Sequence, residues 1–430
     1  MLLLRKLNLG IAALAFITLL VGLALSISAL WQPAAVVLAA SFSIGLGAVP
    51  SLKGYQFTAW IAAAVTAGMI YPPAFSHWGD FDLRNKWLIL LVVQMVMFGM
   101  GTQMSLRDFA GVVKTPRGVL VGILCHFSVM PLVGFGLTKL FHFEPEIAAG
   151  IILIGSCSSG LASNVMAFIA KSNLVLSVTV TAITTMVAPL MTPLLMKLLA
   201  GTMVEVKFFN MMMEIIKIVL VPIGAALLHD YLKTATTHGR RTVLLLSGIS
   251  VLWLVALPLG SWAWFSARLS IDALHWVGAF GFLLGAIVFG VVYHHLVKWL
   301  PRLDRLMPIA SMFGIVYFTT VTTAAGRDNL LKIGGLLFLA ASIHNAAGYF
   351  FGYWLSRGAG LDKNSARSVA FEVGLQNGGM ASGLAGSMGK LATVGLASAI
   401  FSPWMNISGS ILANYWRRKS TDLKTPEVTP

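Results

Sequence analysis

Glu372 is a carboxylate near the middle of an apolar run, and Gln376 and Asn377 follow it within about one helical turn. A charged group at the centre of a membrane helix costs about 2.5–3.5 kcal/mol on insertion scales, so a partner is expected, and a cation is the obvious one. The plainer reading is a buried Glu that is simply protonated. If the helix were intact, Glu372 and Gln376, four apart, would share one face. Gly378-Gly379 come next and invite the chain to unwind. A second polar break stands earlier, at Ser158-Ser159-Gly160-Leu161-Ala162-Ser163-Asn164. An opened Ser-Ser-Gly run frees carbonyls that suit a hard cation. A half-helix starting near Ser163 would aim its positive dipole end inward, which suits an anion. Small-residue packing between helices is the bland alternative for this first break.

Nearby spans add polar groups. Ser177 and Thr181 are four apart and face one way, though threonines in membrane helices often bond their own backbone. His126 sits mid-span ahead of Met130-Pro131, and His344-Asn345 occupies a similar place later. An ionisable side chain inside a membrane span is a functional candidate by default. Two interrupted helices in corresponding halves of a chain are the sequence pointer to the central site of a transporter.

The elements that carry these residues are membrane helices. Apolar residues make up 57% of the 430 and charged residues 10%, against about 45–50% and 25% in soluble domains. The net charge of +15 does not indicate nucleic acid, because Lys and Arg fall in short loops between apolar runs. Cys125 and Cys157 both lie inside apolar spans, so no disulfide framework is expected. Fourteen spans are read, at 7–30, 33–52, 55–73, 87–105, 118–141, 147–170, 174–200, 208–230, 243–265, 274–298, 306–325, 333–356, 366–388 and 391–415. The run at 33–52 is the weakest, since Gly45, Gly47 and Pro50 interrupt its end.

With the N-terminus in the cytoplasm, alternation assigns about 20 of the 30 Lys and Arg to the inside, among them Arg5, Lys6, Arg240, Arg241, Arg302, Arg305, Arg417 and Arg418. Both termini are then cytoplasmic, in a multi-pass protein of the plasma (inner) membrane. Trp78, Trp87, Trp262, Trp264, Trp276, Trp299, Trp354 and Trp416 lie near span ends, as an aromatic belt requires. Residues 1–30 could instead be a cleaved signal peptide, although the apolar run is long for that. The tail 417–430 reads as a basic cytoplasmic end. Metalloprotease, nucleophile-elbow and nucleotide-binding motifs are absent, so neither an enzyme nor an ATP-driven pump is expected.

Longer stretches carry a likeness. Gly160-Leu161-Ala162-Ser163-Asn164, Ala170-Lys171-Ser172-Asn173, Leu176-Ser177-Val178, Thr181-Ala182 and Ala188-Pro189-Leu190-Met191-Thr192-Pro193 occur in order. So do Met97-Phe98-Gly99-Met100-Gly101, His344-Asn345-Ala346-Ala347-Gly348-Tyr349 and Glu372-Val373-Gly374-Leu375-Gln376-Asn377. Over about 55–230 and 305–415 the chain resembles the bile acid:sodium symporter family. The resemblance implies an all-α polytopic membrane protein with a ten-helix core of two inverted five-helix repeats. A panel domain would face a core domain, with two discontinuous helices crossing near the midplane. Residues 55–200 would form the first repeat; 201–241 would begin the second and 301–416 complete it. Residues 1–54 and 242–300 would add two helices each, which keeps the orientation of the core, and 417–430 would be the tail.

The likeness also implies two sodium sites. One would use Ser163, Asn164, Ser177, Thr181 and Glu372. The other would use Glu372, Gln376, the carbonyls of Val373 and Leu375, and a residue on the third core helix. That residue is commonly Gln in the family and is His126 here; sodium prefers oxygen ligands, so one or two ions are expected. Leu161 stands where family members often carry Thr near the substrate. Asn377 and the amides near Ala162 would contact an anionic substrate. The expected activity is sodium-coupled symport of a small organic anion (bile-acid-like, pantoate-like or keto-acid carboxylate) by alternating access. A proton-coupled carrier using Glu372 and His126, and a membrane sensor that binds an anion without moving it, are the alternatives.

Overall fold

Where no water reaches the backbone, every N–H and C=O must be paired within the protein, so long apolar runs become helices. The computed structural model describes residues 2–50 and 52–419. Residues 420–430 of the expected tail lie outside them. The helices are α1 (Leu2–Ala24), α2 (Ser28–Gly45), α3 (Gln56–Ile70), α4 (Lys86–Gly101), α5 (Gly111–Lys114), α6 (Pro116–Phe141), α7 (Pro145–Ser156), α8 (Ala162–Ile169), α9 (Leu174–Ala200) and α10 (Phe208–Ile215). There follow α11 (Val221–Thr234), α12 (Thr237–Ala256), α13 (Trp262–Ser266), α14 (Ile271–Trp299), α15 (Arg302–Ala325), α16 (Arg327–Gly358), α17 (Lys363–Gly374), α18 (Gly378–Ser387) and α19 (Val394–Arg418). A small hairpin, β1 (His77–Trp78) with β2 (Phe81–Asp82), leads into α4.

Helix falls at each of the fourteen expected spans, and among the described residues ten helical segments are long and apolar enough to cross a membrane. The protein is an all-α polytopic membrane protein. Short polar side chains set several starts. Asn173 accepts from Leu176 N at 3.1 Å, Asp362 accepts from Asn364 N and Ser365 N, and Pro116 and Pro145 open α6 and α7, where a missing N–H does no harm. As the glycines foreshadow, α2 ends at Gly45 and continues only as a tight turn over Leu46–Ala48.

The helices pack in two groups. In one, α3 and α4 lie against α15, and α4 also lies against α11. In the other, α6 packs on α7, α9, α16 and α17, while α19 packs on α7 and α16. α18 sits between them, touching α19 on one side and α4 and α10 on the other. Both additions attach to the first group: α1 and α2 pair and reach it through α3, and α12 and α14 pair and cover α11. The second attachment has a polar bolt. Asp304 of α15 accepts from Tyr293 of α14 at 3.1 Å and from Lys233 of α11 at 2.9 Å, and its Oδ1 lies 3.3 Å from His229 Nε2.

Candidate functional site

Both expected breaks open. α7 stops at Ser156 and α8 starts at Ala162; α17 stops at Gly374 and α18 starts at Gly378. The two opened segments cross and pair like antiparallel strands, with Ser159 opposite Gln376. Gly160 N donates to Leu375 O and Asn377 N to Ser158 O, each at 2.9 Å. Each break thus satisfies backbone groups that the other has freed, which is what makes two broken helices tolerable at this depth. Asn345 Nδ2 covers the Gly374 carbonyl at 2.8 Å, and Thr184 Oγ1 accepts from Ser159 N at 3.3 Å.

This crossing requires glycine at 160. A Cβ there would lie 2.5 Å from Gln376 O, a distance that forces the paired segments apart. Gly160→Ala is therefore expected to abolish the sodium-coupled uptake that the resemblance implies. Gly136→Ala, where nothing lies within 4 Å, should leave it intact. Equal uptake by the two variants at equal membrane abundance would refute the crossing.

Glu372 lies fully buried beside the crossing. Ser177 Oγ donates to its Oε1 at 2.5 Å and Thr181 Oγ1 to its Oε2 at 2.8 Å. The same two hydroxyls lie 3.0 and 3.2 Å from Asn164 Oδ1. Each hydroxyl has one proton, so two protons are contested by the carboxylate and an amide oxygen. Ser163 Oγ completes the group, 3.3 Å from Thr181 Oγ1, and donates to Gly160 O at 2.8 Å. Among the described residues no Lys, Arg or His forms an ion pair with Glu372. A buried carboxylate in an oxygen-rich, proton-poor cluster is matched in charge and ligand type by a hard cation.

The expected second group is arranged differently. α17 ends before Gln376, so Glu372 and Gln376 do not share a helix face. Gln376 folds back, its Nε2 donating to Val373 O at 2.7 Å, while its Oε1 is buried without a partner. The Leu375 carbonyl is taken by Gly160 N and by Ser159 Oγ at 3.3 Å. His126 reaches from α6 into the crossing, with Nδ1 2.9 Å from Glu372 O and Nε2 2.8 Å from Cys157 O. A neutral imidazole donates from one nitrogen only, so the tautomer decides which of the two carbonyls the ring serves. Asn377 Oδ1 accepts from Met380 N at 3.0 Å as the cap of α18, and Asn377 Nδ2 donates to Ser158 Oγ at 3.4 Å. Leu161 and Ala162, half-buried, form the start of α8.

A cavity of about 560 Å³ lies between the two groups of helices, bounded by α4, α10, α18 and the 205–207 segment. It does not reach Asn377. Val93, Val96 and Met97 of α4 close on a row of glycines in α18, with Val93 over Gly383 and Val96 and Met97 over Gly379. At the other end of the molecule the segment after α4 bridges both groups. Ser105 Oγ donates to Asp230 of α11 at 3.0 Å, and Thr179 of α9 donates to Asp108 O at 2.8 Å. Lys217 and Glu214, which also line the cavity, were not among the expected site residues; their charges inside the span 208–230 were the available signal.

The protein called "Uncharacterized sodium-dependent transporter YocS" of Bacillus subtilis is 31% identical over 372 residues, covering 86% of this chain and 94% of its own. The chain belongs to the sodium bile acid symporter family. A profile of the Sodium Bile acid symporter family matches residues 90–264. "Probable sodium/metabolite cotransporter BASS1, chloroplastic" of Arabidopsis thaliana is 28% identical over 365 residues, with 85% of this chain and 74% of that one covered. The "Ileal sodium/bile acid cotransporter" of Homo sapiens is 27% identical over 292 residues, or 67% and 66% of the two chains. Family membership, with ten membrane-length helices, makes this an integral multi-pass membrane transport protein rather than an enzyme.

Proposed function

We propose that this symporter family member couples the influx of sodium to the uptake of a small organic anion by alternating access. The observation that carries the reading is Glu372, buried without an ion-pair partner and surrounded by the oxygens of Ser163, Asn164, Ser177 and Thr181. Sodium, as co-transported substrate, would bind among those oxygens and neutralise the carboxylate. The relatives' names, which give sodium-dependent transport of bile acid or metabolite, support the coupling. Leu161, Ala162 and Asn377 at the helix starts would meet the anion once α4 moves off α18. The group of α3, α4, α11 and α15 would act as the panel, and α6–α9 with α16–α19 as the core, in two inverted repeats over 55–200 and over 201–241 with 301–416. The loop charges favour a plasma (inner) membrane orientation with both termini cytoplasmic. With one sodium per singly charged anion the cycle moves no net charge and the sodium gradient alone drives accumulation; a second sodium would add about 2.3 kcal/mol per 100 mV.

The two-carbonyl contact of His126 favours a variant of this reading, in which a single sodium suffices because the imidazole ring stands where a second ion would. Proteoliposomes given an inward sodium jump at constant pH should accumulate the anion above its outside concentration. Uptake driven by a proton gradient alone would favour the proton carrier instead, and binding without accumulation would favour the sensor.

A further inference from the structure

Lys217 is an ammonium set two to three turns into a membrane span, in the wall of the cavity between the two helix groups. It lies in a π-turn, Ile216–Leu220, that separates α10 from α11. Such turns are rare, disturb the regular ladder and cluster at functional sites. The Lys217 carbonyl accepts from Gln94 Nε2 of α4 at 3.3 Å. Its side chain is 17% exposed, with Nζ 3.3 Å from Glu214 Oε1 and 5.7 Å from the ring centre of Phe282.

Phe282 is on α14, part of the insertion 242–300. His275, seven residues earlier and on the same face of that helix, lines the cavity as well. The other charged side chains facing this space are Lys207, Glu205 and Lys390. Lys207 is 3.3 Å from Glu205, and Lys390 pairs with Glu146, which lies outside the lining. Among the described residues, each of the three ammonium groups in the lining stands beside a carboxylate.

We propose that Lys217 is the docking cation that first meets the anionic group of the transported substrate, a small carboxylate, before it passes to the helix starts, and that the insertion takes part in substrate selection by holding Lys217 with Phe282 and lining the approach with His275. This rests on the reading of the chain as an anion symporter. The incoming carboxylate replaces Glu214 at Lys217, and Glu214, 37% exposed, turns to water. The exchange of one carboxylate for another keeps the site shallow, as a carrier that must release its cargo requires. Phe282 holds the ammonium in place by cation–π attraction while the partners exchange.

The test uses the full-length protein with pantoate, pyruvate and cholate as probes, read by sodium-dependent thermal stabilisation and by uptake of whichever probe binds. Lys217→Gln should raise the half-saturating probe concentration about tenfold, as loss of one charge-assisted hydrogen bond does. The maximal rate and the shift produced by sodium alone should be unchanged, and Lys217→Arg should restore most of the affinity. Glu214→Gln removes the competitor and should lower half-saturation several-fold; it carries the test if Lys217→Gln fails to insert. Phe282→Leu and His275→Ala should each weaken the probe about threefold. Unchanged half-saturation in Lys217→Gln, or in Glu214→Gln, overturns the docking role while leaving sodium symport standing. Absence of any sodium-dependent response to the three probes in the wild type overturns both.

Discussion

Glu372→Gln is expected to abolish sodium-driven uptake and the stabilisation that sodium confers on the purified protein. The substitution keeps size and shape and removes only the charge. In the native chain the carboxylate receives hydrogens from Ser177 and Thr181, and those hydroxyls also face Asn164 Oδ1. Without the negative charge, nothing in the cluster repays a cation for its lost hydration. Removing one partner of a buried ion pair typically costs about 3–5 kcal/mol, so sodium affinity should fall by about 10²–10⁴. Thermal shift against sodium, with potassium as the control, reads this directly. A Gln variant with the same sodium response as wild type would remove the basis of the functional reading.

His126→Gln should create a second sodium site. The ring bridges the Glu372 and Cys157 carbonyls, one from each broken helix, and Gln376 Oε1 lies buried without a donor. An amide at 126 would contribute an oxygen where the ring now holds nitrogens, and the carbonyls would be released to a metal ion. The sodium dependence of uptake should then change from a Hill coefficient of about 1 to a value approaching 2, the ceiling being the number of sites. The variant should also lose whatever pH dependence the imidazole imposes. A wild-type coefficient already near 2 would show that His126 does not replace an ion.

Much of this was legible because a membrane span makes polarity conspicuous. Six small or polar residues among seven in an apolar run announced the first break, and a carboxylate followed by two amides and two glycines announced the second. Ser177 and Thr181 could be assigned to one face from their spacing, and both meet Glu372. What could not be read was where the backbone stops being helical. That decides the partners of Gln376, because α17 ends two residues before it, and those of His126, because its acceptors are carbonyls that exist only in the opened chain. The resemblance made Asn377 a candidate substrate contact. In the fold it caps α18, as an Asn at a helix start is well suited to do. Glu214 and Lys217 were overlooked because an oppositely charged pair three apart resembles a helix end, whereas their depth depends on a π-turn with no clear sequence mark.

The row Gly379, Gly383 and Gly386 in α18 lets Val93, Val96 and Ile89 of α4 approach its backbone closely. Interlocked ridges must disengage before two helices can shift, but a bare backbone has few ridges to engage. That contact is a bearing more than a latch. On the alternating-access reading proposed above, friction along it would be low, the speed of the carrier would be set by the charges it moves and not by unlocking of side chains, and a methyl group added at Gly383 would act as a brake on turnover without altering what is bound.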